Sequence, residues 1–240
     1  MNAVLRAART RSVLLRNTLF AAALGLLSGS WAHAQGVATA ALVAPGRWES
    51  SIAAFEQADR LKAPAQGGVV FVGSSSIRMW DDLEQQFGEG VVITKRGFGG
   101  SRLEDCKQYL SRIVVPYRPR MVVVYAGDND LAEGHTPQEV LASFRGFVEG
   151  VRAQLPDTRI AFVSIKPSPS RASLLGSIRH TNALISAYVA SGSNLDFIDI
   201  FTPMLAADGN PRGDLFRADA LHLNDSGYTL WKTVIAGHLR

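Results

Sequence analysis

The sequence predicts an α/β fold, a three-layer α/β/α sandwich built on about five parallel strands in flavodoxin-like order. Three observations carry this. Short runs of β-branched and apolar residues recur at 69–72, 91–94, 121–125, 160–165 and 197–200. Their hydrophobicity is nearly continuous rather than alternating, the pattern of strands buried on both faces. Each run is followed by Gly, Ser, Asp or Pro and then by a longer stretch of helical periodicity. No internal repeat, low-complexity tract or second domain interrupts the series.

Ahead of the first strand, Arg6, Arg9, Arg11 and Arg16 precede a short apolar core at 19–27 and the small-residue site Ala32-His33-Ala34. This predicts a secretory signal peptide over residues 1–34, and hence a periplasmic or secreted protein. The apolar core is shorter than the roughly 20 residues a spanning helix needs, so no stable membrane insertion is expected. Residues 35–46 then form a leader rich in Ala, Gly and Val, and 47–240 one domain. The full chain has 25 Lys+Arg against 21 Asp+Glu, and loss of the four leading arginines leaves 21 against 21. The high isoelectric point therefore belongs to the export signal and argues against nucleic acid or an anionic membrane as partner. Cys106 is the single cysteine, which excludes an internal disulfide and suggests a buried structural thiol. Trp48, Ile52, Phe55 and Leu61 recur at helical spacing and predict a helix packed on the core.

In such a sheet, ligands bind beyond the carboxyl ends of the strands, near the switch in strand order. The residues after each strand are therefore the candidates. After the first come Gly73-Ser74-Ser75-Ser76-Ile77, where a serine in the strand-to-helix turn is either a nucleophile or a helix cap. Ile77 rules out the G-x-S-x-G elbow, and Arg78, always protonated, cannot serve as the base of an S-x-x-K site. After the second come Lys95-Arg96-Gly97-Phe98-Gly99-Gly100-Ser101, whose glycines let backbone approach a ligand closely and free an N–H to donate. A dinucleotide turn would need glycine at Arg102. After the third, Gly127-Asp128-Asn129-Asp130 offers an amide donor. Asp128 and Asp130 also raise a metal or paired-carboxylate site, though the segment holds few ligands for either. Lys166, after the fourth strand, is the one basic candidate placed near the site. It is otherwise read as a loop residue. After the last strand, Asp219-Ala220-Leu221-His222 places a carboxylate three residues before a histidine, so that the two can meet on one side of a turn. His135, His180 and His238 carry no comparable motif, and no His-x-x-x-His spacing suggests zinc.

These blocks, in this order from Val69 to the C-terminus, resemble the GDSL or SGNH hydrolase family. The resemblance implies a flavodoxin-like fold, a serine carboxylic-ester hydrolase activity and no cofactor or metal. It implies Ser75 as nucleophile and Asp219 and His222 as its partners. The oxyanion hole would be formed by the Ser75 and Gly100 N–H groups with the Asn129 side chain. The family's first block usually reads G-D-S, and Ser74 stands here in place of that aspartate. The expected substrate is a small-molecule or polysaccharide-borne ester, with short acyl groups favoured because no extended lid is visible between the blocks. Two competing classes are a non-catalytic carbohydrate-binding or scaffold protein with the same fold and a phosphodiesterase, the latter expected to gather Mg²⁺ ligands or clustered cations.

Overall fold

The computed structural model describes residues 46–239 except residue 89. The expected signal peptide and all but the end of the leader lie outside the described residues. Five strands form one parallel sheet: β1 (Val69–Gly73), β2 (Ile93–Gly97), β3 (Met121–Tyr125), β4 (Arg159–Val163) and β5 (Leu195–Ile198). Their order is β2-β1-β3-β4-β5, so the predicted architecture and order both hold. The order reverses beside β1, which puts the ligand-binding crevice of such a sheet at the end of that strand.

Every residue of β1 and β3 is buried. Alternation along them divides the core in two. Val70, Val72, Val122 and Val124 face one side, packed with α3 (Leu103–Gln108), α6 (Pro137–Arg152) and α7 (Leu175–Ala190). Val69, Phe71, Met121 and Val123 face the other, packed with Trp80 and with Trp231 of α8 (Asp225–Ala236). Full burial of an aliphatic side chain such as Val70 or Val122 contributes roughly 1.5–3 kcal/mol. The apolar content of these strands thus drives both layers of helix onto the sheet.

Several expectations need correction. β4 and β5 end at Val163 and Ile198, each two residues short of the apolar run that marks it, 160–165 and 197–200. The second strand lies at Ile93–Gly97 rather than 91–94, because Arg96 continues it despite its charge. Arg96 Nη2 bonds Asp59 at 2.5 Å and its Nε donates to Tyr117 Oη at 2.7 Å, while its guanidinium covers the Phe55 and Tyr117 rings. The crossovers after β1 and β2 hold short helices, α2 (Ser75–Arg78), α3 and α4 (Leu110–Ile113), instead of long ones. On α1 (Glu49–Leu61), Ile52 is buried and Phe55 packs on the core, but Leu61 is 84% exposed. Cys106 is free and buried as expected, and burial pushes its thiol upward, away from reactivity.

Candidate active site

The end of β1 sets the position of Ser75. Gly73 has φ +148°, and a Cβ there would lie 1.9 Å from the Tyr125 carbonyl oxygen, so only glycine allows β1 and β3 to close at this point. Ser74 then caps α2 in an extended conformation, and its C=O accepts from Ile77 and Arg78. Its N–H donates to the Tyr125 carbonyl at 3.1 Å, and its side chain is buried. Ser75 is the first residue of α2, where the backbone N–H has no intrahelical acceptor. Ser74 and Ser76 are 2% and 1% exposed, which leaves Ser75 as the serine of this run open to a ligand.

The glycines after β2 divide their tasks. A Cβ at Gly97 would meet the Arg78 backbone N at 2.2 Å, and one at Gly99 would meet the Arg78 guanidinium at 2.8 Å. Close approach at these two positions therefore serves packing against α2 rather than a ligand. Gly100 has φ +80° at the third position of a turn closed by Ser101 N–H donating to the Phe98 carbonyl, the type II geometry that favours glycine. Asn129 lies on α5 (Asp128–Ala132), which follows the N-cap Gly127, φ +107°. Its Nδ2 donates to the Ser101 carbonyl at 3.0 Å and its Oδ1 accepts from Arg171 Nη2 at 3.0 Å. One Nδ2 hydrogen remains for a ligand.

The last block arrives from the segment between β5 and α8. Ala220 adopts φ +54°, turning the chain so that Asp219 and His222 face each other. Asp219 Oδ1 accepts the backbone N–H of Leu221 and His222 at 3.0 and 2.9 Å. His222 Nδ1–H donates to Asp219 Oδ2 at 2.6 Å, and Ser75 Oγ–H donates to His222 Nε2 at 3.0 Å. The His222 side-chain bond, aided by the two backbone donors, holds the Asp219 carboxyl well below the usual carboxylate range. Asp219 is therefore an anion at neutral pH, able to fix the imidazole tautomer and offset a charge forming on it.

All five sequence-derived site residues thus converge. Ser75, Gly100, Asn129 and His222 line a cleft of about 500 Å³, with Asp219 behind His222. Trp48 and Ser51 from α1 and its entrance form another wall. Sequence reasoning gave Trp48 packing alone, and its edge contact with Phe98 at 5.8 Å supplies that role too. Lys166 lies in the loop after β4, as read, but it is buried there: it is 1% exposed and bonds Asp128 at 2.5 Å. Burial alone would raise the Asp128 carboxyl, but Lys166 and the ion-paired Arg171 outweigh it and hold Asp128 low. With both oxygens facing cations, Asp128 is not arranged as a metal ligand. Among the described residues no group of three or more His, Cys, Asp or Glu gathers as a metal site.

Asp130 behaves differently. It accepts the Leu103 N–H at 3.2 Å while 3% exposed, and burial pushes its carboxyl up from 3.8 to about 6. Between these values the folded chain binds more protons than the unfolded one, so this group's contribution falls as pH rises from about 4 to about 6. Asp130→Asn removes the burden. Its stability relative to wild type is expected to improve by about 2–3 kcal/mol between pH 4 and pH 7.5, at ~1.4 kcal/mol per pKa unit. Thermal unfolding at both pH values checks this, and a difference independent of pH contradicts it.

The family model for GDSL-like lipase/acylhydrolases matches residues 50–230. The chain belongs to this family. Among curated relatives of this acylhydrolase is platelet-activating factor acetylhydrolase IB subunit alpha1 from Bos taurus, 27% identical over 189 residues, covering 77% of this chain and 78% of that protein. The Homo sapiens protein is likewise 27% identical, covering 77% and 79%. The acylhydrolase also shares its fold with a GDSL-like lipase structure from Bacteroides thetaiotaomicron, at a TM-score of 0.66 and 20% identity, covering 78% and 96% of the two chains.

Proposed function

We propose that this acylhydrolase is an exported serine carboxylic-ester hydrolase that works through an acyl-enzyme, with Ser75 as nucleophile, His222 as base and Asp219 as its orienting acid. The observation that carries this is the relay of hydrogen bonds from Ser75 Oγ to His222 Nε2, 3.0 Å, and from His222 Nδ1 to Asp219, 2.6 Å. In the first step Ser75 Oγ attacks the ester carbonyl carbon while His222 Nε2 takes its proton. The negative charge forming on the carbonyl oxygen falls between the Ser75 and Gly100 N–H groups and Asn129 Nδ2. Collapse expels the alcohol, which receives the proton from His222. Water then repeats the sequence on the acyl-serine, with His222 as base and Ser75 as leaving group.

Short acyl groups, acetyl first, are the proposed substrates. The cleft is a shallow depression between Trp48 and His222 rather than a long apolar tunnel, which suits a small acyl group. The curated relatives are named as acetylhydrolases. Export is proposed from the arginines, apolar core and Ala32-His33-Ala34 of the N-terminus. One experiment tests these together. The full chain is expressed with export machinery, recovered outside the cytoplasm, weighed by mass spectrometry and assayed on aryl esters from acetyl to long-chain acyl. The expected result is a mature chain beginning at Gln35 with kcat/KM highest for acetyl. A marked long-chain preference would overturn the substrate assignment, and an intact N-terminus retained in the cytoplasm would overturn export.

A further inference from the structure

The segment after β4, Lys166-Pro167-Ser168-Pro169-Ser170-Arg171, has no part in the mechanism above, yet it touches both halves of the site. Asn182 of α7 anchors its start: the Asn182 side chain accepts the Ile165 N–H at 2.8 Å and donates to the Ile165 carbonyl at 3.0 Å. From there Ser170 N–H donates to the carbonyl of Ala220 at 3.0 Å, the residue whose left-handed turn brings Asp219 to His222. One residue on, the Arg171 side chain, 16% exposed, ion-pairs with Asp128 and donates from Nη2 to Asn129 Oδ1 at 3.0 Å.

That last contact decides the orientation of the oxyanion donor. A carboxamide can present either end to a cleft, and the guanidinium, which has donors and no acceptor, accepts only the oxygen end. With Oδ1 held by Arg171 and one Nδ2 hydrogen held by the Ser101 carbonyl, the other Nδ2 hydrogen has one direction left. The Arg171 guanidinium polarises the amide it bonds, making its N–H groups better donors. Asp128 holds the guanidinium in place from the other side, and Lys166, against the same carboxylate, keeps Asp128 ionised. We propose that Arg171 is a positioning residue of the oxyanion site, acting through Asn129 with Asp128 and Lys166 as its support.

The proposal rests on the role given to Asn129, and the test separates the two. Arg171→Lys keeps a cation against Asp128 but replaces a planar fork with a single ammonium on a shorter reach, which cannot hold Asp128 and Asn129 together. On an acetyl aryl ester the expected result is a kcat about tenfold lower, since small misplacements of catalytic groups cost up to about 10²-fold. KM should stay within about twofold and Tm near wild type, because the donor acts on charge that exists only in the transition state. Adding Arg171→Lys to Asn129→Ala should cost nothing further, as the two changes remove one effect. Wild-type kcat in Arg171→Lys, or losses that multiply in the double variant, would overturn the proposal while leaving Asn129 its role. So would an activity loss that follows Tm across Arg171→Lys and Arg171→Met, which would make Arg171 structural. Full turnover in Asn129→Ala alone would remove both claims.

Discussion

Replacing Ser75 with alanine is expected to lower kcat on an acetyl ester by on the order of 10⁶-fold, with the fold and Tm retained. The size follows from what is lost. Without the hydroxyl no acyl-serine forms, and what remains is binding and oxyanion stabilisation of direct attack by water. His222→Ala should cost about as much, because an alcohol hydroxyl without a base is a poor nucleophile at neutral pH. The double variant should be little worse than either single one, since the groups act as a unit. Asp219→Asn should cost less, about 10⁴-fold, because it leaves the nucleophile and base present and loses the tautomer and the countercharge. The flanking hydroxyls offer no bypass, Ser74 and Ser76 being 2% and 1% exposed. Rate measurements combined with labelling by a fluorophosphonate check the assignment. Labelling should occur in wild type and vanish in Ser75→Ala. Substantial turnover in Ser75→Ala would sink the nucleophile, and absence of both turnover and labelling in wild type would favour a non-catalytic scaffold.

How far the sequence revealed this site depends on the reach of each interaction. The Asp219–His222 pair was legible because its partners are three residues apart and meet within one turn. Ser75, Gly100 and Asn129 were legible because each follows a strand that the apolar runs mark, and a parallel sheet brings such ends together. Arg96 defeated the strand prediction, because nothing local explains a buried cation. Its partners Asp59 and Tyr117 stand 37 and 21 residues away. The same holds for Lys166 and Arg171, whose contacts to Asp128 and Asn129 span 38 and 42 residues. Such groups look like surface cations until the fold supplies the carboxylate. Trp48 was read for packing and carries it, but its second role as a cleft wall arises from the approach of α1 to the Gly100 turn. A Cβ on Gly100 would lie 3.2 Å from the Trp48 ring, a proximity no periodicity encodes.

Asn129→Ala is expected to lower kcat by about 10²–10³-fold, the usual cost of one oxyanion donor, with little change in KM. The split between the two constants follows from where the charge is. The ester carbonyl oxygen of the bound substrate is a weak acceptor, whereas the tetrahedral intermediate carries a full negative charge, so the donor stabilises the later state selectively. A rival explanation is that truncation opens a hole beneath the cleft and loosens the turn at Ser101, whose carbonyl Asn129 also holds at 3.0 Å. Asn129→Asp separates the two. Aspartate fills the same volume, and its oxygens can still accept from Arg171. If cavity formation were the cause, Asp would be milder than Ala. If the donor is the cause, Asp must be at least as damaging, since it replaces an N–H with a second negative charge facing the oxyanion. Steady-state kinetics of the two variants on one acetyl ester decide between these orders. An Asp variant close to wild type would show that the amide hydrogen has no part in the reaction.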